Sequence, residues 1–368
     1  MLKELAFPRM HEEETEKRDF LPSLFRKIRK LTDARIFLEQ GYGSKIGIPE
    51  GEYLDANPNL SFVPYEEIFD KGSVVVVRAP KKEMLNRMRP GTVLISMLHY
   101  CTRPQLVKLL KEREISCFSM DDIVDDWNNR IFVNYPGTSG AAIRVGFQEL
   151  EKKMPGFYSE DRRPIYATIL GMGKVAQAAA KALEICSDNA FGKTGTPGVI
   201  VRMLPQTITD KTDIMKTLLV DSDILVDSTK RIDPSIIIVP NYLLCTLPSH
   251  SVIVDITSDP YDNSTSPPQV KAIEGIAYGT LDKYVIEEND PYYETLTGLV
   301  DTRCRRTVVT CNAWPAFDPV ECMKLYEEQL LPLLKVILEK GQKDIDPESH
   351  DMYERALARS TLDHFLSN

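Results

Sequence analysis

The stretch IYATILGMGKVAQAAAKAL, residues 165–183, constrains the fold of this chain more than any other part of the sequence. A short apolar run, typical of a buried strand, passes through two glycines into a long alanine-rich segment with helical character. In the pattern G-x-G-x-x-A, Gly171 permits a tight turn, Gly173 lets the backbone approach a diphosphate, and Ala176 lets helix and strand pack closely. The pattern predicts a strand-turn-helix unit that binds a dinucleotide at the helix N-terminus. A glycine turn without a ligand is the alternative, because the motif alone is weak.

Strand-like and helix-like segments alternate on both sides of this unit. Before it, the strand-like runs are ARIFLEQ, SVVVVRAP and TVLISMLHY, and the helical patterns are LPSLFRKIRKL and RPQLVKLLKER. After it, further strand-like runs are GVIVRM, DILVDS, SVIVDI and TVVTC. Such alternation is typical of parallel α/β sheets, and 368 residues exceed what one hydrophobic core usually serves. The sequence therefore predicts an α/β fold with two Rossmann-like domains.

The C-terminal tail that starts at Asp318 has two amphipathic helical patterns and no strand pattern. Because it has no sheet of its own, we expect it to pack back on the first domain. The prediction is a discontinuous substrate domain, residues 1–138 and 316–368, into which a dinucleotide-binding Rossmann domain, residues 139–315, is inserted.

Charge and composition narrow the function. A net charge of −9 argues against nucleic acid or an anionic membrane as partner, and it favours a small-molecule ligand. No apolar window approaches the roughly 18 residues of a membrane span, and the N-terminus has no signal-peptide pattern, so we expect a cytoplasmic protein. The seven cysteines form no CxxC pair and no Cys/His cluster; we expect reduced thiols, packing as the role of Cys311, and no metal site.

The strand after the glycine helix bears on the choice of cofactor. An acidic residue normally ends this strand and holds the ribose hydroxyls, but GVIVRM offers Arg202. An arginine there pairs with the 2′-phosphate of NADP, and we expect Lys193 to reach the same pocket. The alternative is a solvated arginine in a protein that uses NAD. The predicted cofactor-binding residues are Gly171, Gly173, Lys174, Val175, Ala176 and Arg202.

Over nearly its full length the chain resembles the alanine dehydrogenase group, which includes the lysine-forming saccharopine dehydrogenases and carboxyethyl-ornithine synthase. The resemblance depends on the order and spacing of EKRDFLP, FLEQGYGSKIGIPEGEY, YEEIFDKGSVVVVRAP, RPGTVLISMLHY, the glycine loop, SVIVDITSD and TCNAWPAFDP. The loop ILGMGKVAQAA and the phrase EEIF look closest to carboxyethyl-ornithine synthase, which reduces an imine of pyruvate and an amino acid with NADPH. The resemblance implies a cofactor domain inserted between two parts of a substrate domain.

The resemblance also implies roles for individual residues. Arg18, in the segment that matches the family's E-x-R-x-x-L-x-P, would bind a substrate carboxylate through its planar two-pronged donor. Asp259, in VDITSD, matches the aspartate near the nicotinamide and would stabilise positive charge there. His99 matches the family's histidine after the strand TVLISML. Its position at the carboxyl edge of a parallel sheet, and the titration of imidazole near neutrality, suit proton transfer. A histidine satisfied in the core is the alternative for His99.

One position departs from the family. Where its members usually have a lysine, this chain has Arg78, and arginine keeps its proton near neutral pH. Proton transfer would pass to His99 or water, and Arg78 would become a second carboxylate clamp, suited to a substrate with two carboxylates. We therefore predict an NAD(P)-dependent oxidoreductase that acts on a C–N bond of an amino acid or opine-type secondary amine, with NADP favoured over NAD. The predicted catalytic residues are His99, Asp259, Arg18 and Arg78.

We further expect an amino-acid or keto-acid substrate and a homo-oligomer. Two other functions stay open at this point. One is simple amino-acid deamination, as in alanine dehydrogenase itself. The other is a dinucleotide-binding sensor without catalysis, which the arginine at position 78 favours.

Overall fold

The computed structural model of this protein describes residues 2–367 of the 368-residue chain. The chain divides into two compact units. The first joins Met1–Asn134 to Asp318–Asn368, and the second is Tyr135–Phe317.

The first unit is built on a six-stranded parallel sheet. Its strands are β1 (Glu4–Phe7), β2 (Arg35–Glu39), β3 (Leu60–Val63), β4 (Ser73–Arg78), β5 (Val93–Met97) and β6 (Ser116–Ser119). The helices between them are α1 (Pro22–Ile28), α2 (Glu50–Ala56), α3 (Tyr65–Ile68), α4 (Lys82–Arg87) and α5 (Pro104–Glu112). The strand order is β3-β2-β1-β4-β5-β6, so the direction of winding reverses between β1 and β4. Open α/β sheets bind ligands at the carboxyl edge near such a reversal.

The second unit has a six-stranded sheet of its own. Its strands are β7 (Ile165–Leu170), β8 (Val199–Leu204), β9 (Ile224–Asp227), β10 (Val252–Asp255), β11 (Val285–Ile286) and β12 (Thr307–Thr310). Its helices are α6 (Tyr135–Lys153), α7 (Lys174–Phe191), α8 (Gln206–Thr209), α9 (Thr212–Leu219), α10 (Asn241–Leu244) and α11 (Tyr292–Thr295). The strand order is β11-β12-β10-β9-β7-β8, and β11 runs antiparallel to β12. Two largely parallel sheets confirm the predicted α/β fold with two Rossmann-like domains.

The C-terminal helices complete the first unit. They are α12 (Pro319–Lys340), α13 (Met352–Arg359) and α14 (Leu362–Ser367). The buried face of α12, which includes Leu330 and Leu334, belongs to the same hydrophobic core as Phe7 and Phe25 of the N-terminal part. The side chain of Gln329 both accepts from the backbone N–H of Val133 and donates to its carbonyl oxygen, which ties the returning chain to the segment that leaves the first unit. Burial of this apolar face drives the return of the chain.

Two of the cysteines are not reduced thiols. Cys245 and Cys304 form a disulfide that spans 59 positions of the second unit, so the expectation of free thiols is wrong for this pair. Their spacing matches no local motif, and only the fold brings them together. Cys311 is buried, as a packing residue should be.

No helix within residues 2–367 combines the length and the apolar character that crossing a bilayer requires.

Candidate functional site

The glycine loop of the second unit has the geometry that a diphosphate needs. The chain leaves β7, turns at Gly171 with φ +103°, and enters the 18-residue helix α7 with Gly173 as its N-cap. A Cβ on Gly171 would lie 3.3 Å from the backbone oxygen of Ser228, whereas a Cβ on Gly173 would meet no described atom within 4 Å. Gly171 is therefore required by the fold, and Gly173 leaves open space above the first N–H groups of the helix, where an anion binds favourably.

The other predicted residues of the loop follow from the helix. Lys174 is exposed in its first turn, Val175 is half-buried, and Ala176 is fully buried against the sheet. The carbonyl oxygen of Val175 accepts a hydrogen bond of 3.1 Å from the hydroxyl of Ser139 on α6. The small side chain at position 176 thus allows the close packing of helix on strand that the motif predicts.

Arg202 does not lie where the sequence placed it. Strand β8 continues two residues beyond it to Leu204. The Arg202 guanidinium lies over the ring of Tyr166, 4.6 Å from its centroid, and donates to Asp221 at 2.8 Å, in the turn that precedes β9. This is the amino end of the sheet, and the glycine loop is at the carboxyl end. The Arg202 guanidinium is thus engaged at the end of the sheet opposite the glycine loop, and its binding of a 2′-phosphate stays a prediction.

The predicted strand GVIVRM ends at Met203, one residue before the observed end of β8, so that Arg202 lies two residues inside the strand. The last strand residue, Leu204, and the following Pro205 are neither acidic nor basic. Lys193 also lies in the turn between α7 and β8, at the amino end of the sheet. The end of β8 therefore carries no charged residue that would select between the two dinucleotides.

Strands β9 and β10 end side by side with two buried aspartates. Asp227 and Asp255 are direct partners in the strand register. Asp255 accepts a hydrogen bond from the ammonium of Lys271 at 2.6 Å, and this ion pair is almost wholly buried. Asp255 also accepts one from the hydroxyl of Thr310 at 3.0 Å. Asp227 accepts from the backbone N–H and the hydroxyl of Thr229 through Oδ1, while its Oδ2 is buried with no hydrogen-bond partner among the described residues.

The two carboxylates differ in protonation because their partners differ. Burial, reinforced by the charge of Asp255, raises the pKa of Asp227 from 3.8 to about 6. Burial alone would also raise the pKa of Asp255, but the charge and hydrogen bond of Lys271 outweigh it and hold that pKa below its ordinary value. One ammonium therefore compensates one of two neighbouring buried carboxylates.

Asp227→Asn is expected to stabilise the second unit above pH 6. The folded protein retains a proton on Asp227 that the unfolded chain releases above pH 3.8, so wild-type stability falls as pH rises from there to about 6. The difference between the two pKa values corresponds to about 3 kcal/mol of folding free energy. Asparagine keeps the acceptor for Thr229 and removes the charge. Urea unfolding at several pH values measures the effect; a gain that is the same at pH 4 and pH 8 would contradict the titration.

Asp259 lies in the loop after β10 and contacts a residue that sequence reasoning missed. Its Oδ2 accepts from the guanidinium of Arg231 at 2.7 Å, and the Arg231 side chain is only 4% exposed. The preceding Ser258 has φ +49°, and its backbone N–H donates to Asp255. Trp314 is buried and donates from Nε1 to the carbonyl oxygen of Asp255 at 3.2 Å. The loop that carries Asp259 is thus held in one conformation.

In the first unit, Arg18 and Arg78 are brought together at the carboxyl edge, but each is paired with a glutamate. Arg18 donates from Nε and Nη2 to the two oxygens of Glu16, at 3.0 and 2.7 Å, in a buried pair. Arg78, the last residue of β4, donates to Glu13 at 2.9 Å and lies 3.7 Å from Glu16. Burial alone would raise the pKa of Glu16, yet Arg18, with a smaller contribution from Arg78, lowers it to about 2.

This pairing changes the interpretation of both arginines. The sequence predicted two guanidinium groups available to substrate carboxylates, and Glu16 belongs to the E-x-R pattern that suggested the first. A substrate carboxylate would have to compete with an internal one for the same donors. Glu13 and Glu16 are therefore part of the candidate site.

His99 is held by an aspartate that sequence reasoning missed. Its Nδ1 lies 3.0 Å from Oδ2 of Asp121, two residues after β6, and its backbone N–H donates to the other oxygen. The Asp121 side chain is only 8% exposed, and it also accepts from the hydroxyl of Ser119 at 3.0 Å. Burial alone would raise the pKa of Asp121, but the charge and hydrogen bond of His99 hold it well below the ordinary value. The paired aspartates 121 and 122 after an apolar run were the available signal.

The His99 side chain is 40% exposed, which excludes a histidine satisfied in the core. Its backbone has φ +49°, a conformation uncommon for residues other than glycine. Because an ionised carboxylate only accepts hydrogen bonds, Asp121 orients the ring with Nδ1 as donor and Nε2 as the nitrogen that can exchange a proton with a ligand.

Comparison with known proteins identifies relatives. Residues 11–133 match the family described as alanine dehydrogenase/PNT, N-terminal domain. The alanine dehydrogenase of Methanococcus maripaludis is 26% identical over 164 residues, which are 41% of this chain and 42% of that protein. The alanine dehydrogenase of Bacillus subtilis is 26% identical over 155 residues, 40% of each chain. These alignments span about two fifths of the length of the relatives.

Two solved structures share the fold over almost the entire chain. An L-alanine dehydrogenase matches with a TM-score of 0.68 and 18% identity, covering 97% of this chain and 94% of that one. A transhydrogenase from Sinorhizobium meliloti matches with a TM-score of 0.64 and 14% identity, covering 97% of each. At these identities the likeness shows the fold.

Proposed function

We propose that this chain, whose residues 11–133 belong to the alanine dehydrogenase/PNT N-terminal domain family, is a nicotinamide-dinucleotide oxidoreductase that acts on the C–N bond of an amino acid or secondary amine. The observation that carries the proposal is the His99–Asp121 pair at the carboxyl edge of the first sheet. An imidazole that is oriented by a carboxylate and is 40% exposed suits proton transfer to or from a ligand. The glycine loop and the likeness to alanine dehydrogenases support the same class.

The residues of the second unit fit a dinucleotide. The open space above Gly173 and the N-terminus of α7 would hold the diphosphate, with Lys174 in the first turn as a nearby cation. The bound nicotinamide would supply hydride transfer. Asp259 would place negative charge near a positively charged imine.

The residues of the first unit would bind and protonate the substrate. His99 would exchange a proton through Nε2 while Asp121 keeps Nδ1 engaged. Arg18 would hold the substrate carboxylate in place of one of its bonds to Glu16, since a guanidinium has more donors than one carboxylate occupies. For a substrate with two carboxylates, Arg78 would exchange Glu13 for the second.

Simple amino-acid deamination is a second candidate function, and the pairing of Arg78 with Glu13 favours it. With Arg78 held by Glu13, Arg18 alone is left to bind a substrate carboxylate. An ordinary α-amino acid has a single carboxylate at its α-carbon. Reduction of an opine-type imine, as in carboxyethyl-ornithine synthase, requires both arginines to exchange partners.

A turnover screen tests the proposal. Purified protein is mixed with NADH or NADPH and either a keto acid plus ammonium or a keto acid plus an amino acid, and the loss of reduced-cofactor absorbance is followed. Turnover with ammonium supports deamination, and turnover that needs a second amino acid supports an opine-type reaction. Cofactor binding without turnover in any combination would refute the enzyme and leave a dinucleotide sensor.

Gly173→Val is expected to weaken dinucleotide binding at least tenfold. The new side chain would occupy the space of the diphosphate, and the loss of one charge-assisted hydrogen bond alone costs about 1.5–3 kcal/mol. Because a Cβ at this position meets no described atom, the fold should be unchanged.

Titration of NAD and NADP measures the effect, with unfolding monitored in parallel. Gly72→Val, at an equally open glycine before β4, is the matched control and should bind cofactor as the wild type does. Gly171→Ala should instead destabilise the protein, because φ +103° is unfavourable for alanine. Unchanged affinity in Gly173→Val would mean that the loop is only a turn.

A further inference from the structure

Two loops of the second unit are shaped in the same way by the aspartates that end neighbouring strands. Oδ1 of Asp227 accepts from the backbone N–H and the hydroxyl of Thr229, at 3.0 and 2.7 Å. Oδ1 of Asp255 accepts from the hydroxyl of Thr257 at 3.0 Å and the backbone N–H of Ser258 at 2.9 Å. Each strand end thereby folds its own loop into a fixed turn.

One ion pair joins the two loops, and both partners are anchored independently of each other. Arg231, four residues after Asp227, donates from Nη1 to the carbonyl oxygens of Pro234 and Ile236, at 3.0 and 2.9 Å. Its Nη2 donates to Asp259, four residues after Asp255, at 2.7 Å. The bonds to the two carbonyl oxygens therefore fix the orientation of the guanidinium plane independently of its bond to Asp259.

The segment around Asp259 is held from both sides. The hydroxyl of Ser258 donates to the carbonyl oxygen of Cys311 at 2.8 Å, and the side chain of Gln269 donates to that of Pro260 at 2.8 Å. Asp259 remains 27% exposed, whereas Arg231 is 4% exposed. The arginine is therefore part of the interior, and the carboxylate is the part of the pair that a ligand can reach.

We propose that Arg231 is a positioning residue that orients the Asp259 carboxylate toward the reacting C–N group. It engages one carboxylate oxygen, so that the other keeps a fixed direction toward the cationic imine or amine. The inference rests on the proposed function, because Asp259 has a substrate to act on only in that reaction. A merely structural arginine would affect folding without depending on the carboxylate at position 259.

A double-mutant cycle separates these roles. Arg231→Met is expected to lower kcat about ten- to a hundredfold, the cost of a misdirected group, with little change in KM or in the dissociation constant of the dinucleotide. In an Asp259→Asn background the same change should alter kcat less than about twofold, because the group it positions is already gone. Arg231→Lys keeps the charge and should retain more activity than Arg231→Met. If the methionine variant fails to fold, the lysine variant still tests the role in both backgrounds.

Arg305→Met is the matched control in the same unit, since Arg305 pairs with the exposed Glu294 and should leave kcat unchanged. Equal losses of kcat on Arg231→Met in the wild-type and Asp259→Asn backgrounds would overturn the positioning role while leaving the proposed function intact. A lysine variant no better than the methionine variant would also contradict it. A wild type without amino-acid-dependent turnover would instead refute the proposed function, and this role with it.

Discussion

Replacing Asp255 with asparagine is expected to lower the free energy of unfolding by about 3–5 kcal/mol, because it leaves the Lys271 ammonium buried without its counter-ion. Lys271 and Asp255 are almost wholly buried, so water cannot replace the lost charge. The tyrosine rings of Tyr261 and Tyr278, 6.0 and 5.3 Å from the ammonium, offer weaker compensation. The expected loss exceeds the usual effect of a point substitution.

Urea unfolding of the wild type and three variants measures this. Asp227→Asn, the same substitution on the neighbouring strand, should instead raise the free energy of unfolding above pH 6. Asp227 has no ammonium bound to it, so its replacement leaves no unpaired cation. The double variant Asp255→Asn/Lys271→Met should recover much of the loss by removing the unpaired charge. If Asp255→Asn were as stable as the wild type, the buried ion pair would not be the stabilising contact that its geometry indicates.

His99→Ala is expected to reduce turnover at least about a hundredfold without loss of folding or of dinucleotide binding. The imidazole is the group that would exchange the proton. At the same edge of the sheet His11 also pairs with a carboxylate, Glu39 at the end of β2, but there Nε2 is the engaged nitrogen, at 2.7 Å. Asp121→Asn should have a smaller effect, because the ring stays in place but loses the charge that holds Nδ1 as the donor.

Steady-state kinetics on the substrate found in the turnover screen measures both variants. His250→Ala is the control, since His250 also pairs with an aspartate, Asp223 at 2.8 Å, but in the turn before β9 at the amino end of the second sheet. It should keep near-full activity. Near-full activity in His99→Ala would place the proton transfer elsewhere.

Several parts of the candidate site were predictable because their signals are local. The turn at Gly171 follows from a conformation that glycine adopts most easily, and the strand and helix on either side of it follow from apolar periodicity. His99 was predictable because the end of an apolar strand marks the carboxyl edge of a parallel sheet. The direction of the Arg202 side chain was not predictable in this way, because it depends on contacts with Asp221 and Tyr166 that only the fold supplies.

The partners of the site residues were not predictable. Asp121 lies 22 positions after His99, Arg231 lies 28 before Asp259, and Lys271 lies 16 after Asp255. None of these spacings corresponds to a turn of helix or a strand repeat. Glu16 is two residues from Arg18, yet whether the two pair or point apart depends on burial.

Local chemistry in the sequence thus determined that this chain forms two α/β sheets, with a glycine turn in one and a histidine at the edge of the other. Backbone preference and apolar periodicity act within a few residues and need no tertiary contact to be recognised. Which charges neutralise one another was decided only by the tertiary structure. Burial removes the water that would otherwise solvate each group, so Glu16 and Asp255 are paired with cations that the fold supplies, whereas Asp227, which has no such partner, has a raised pKa.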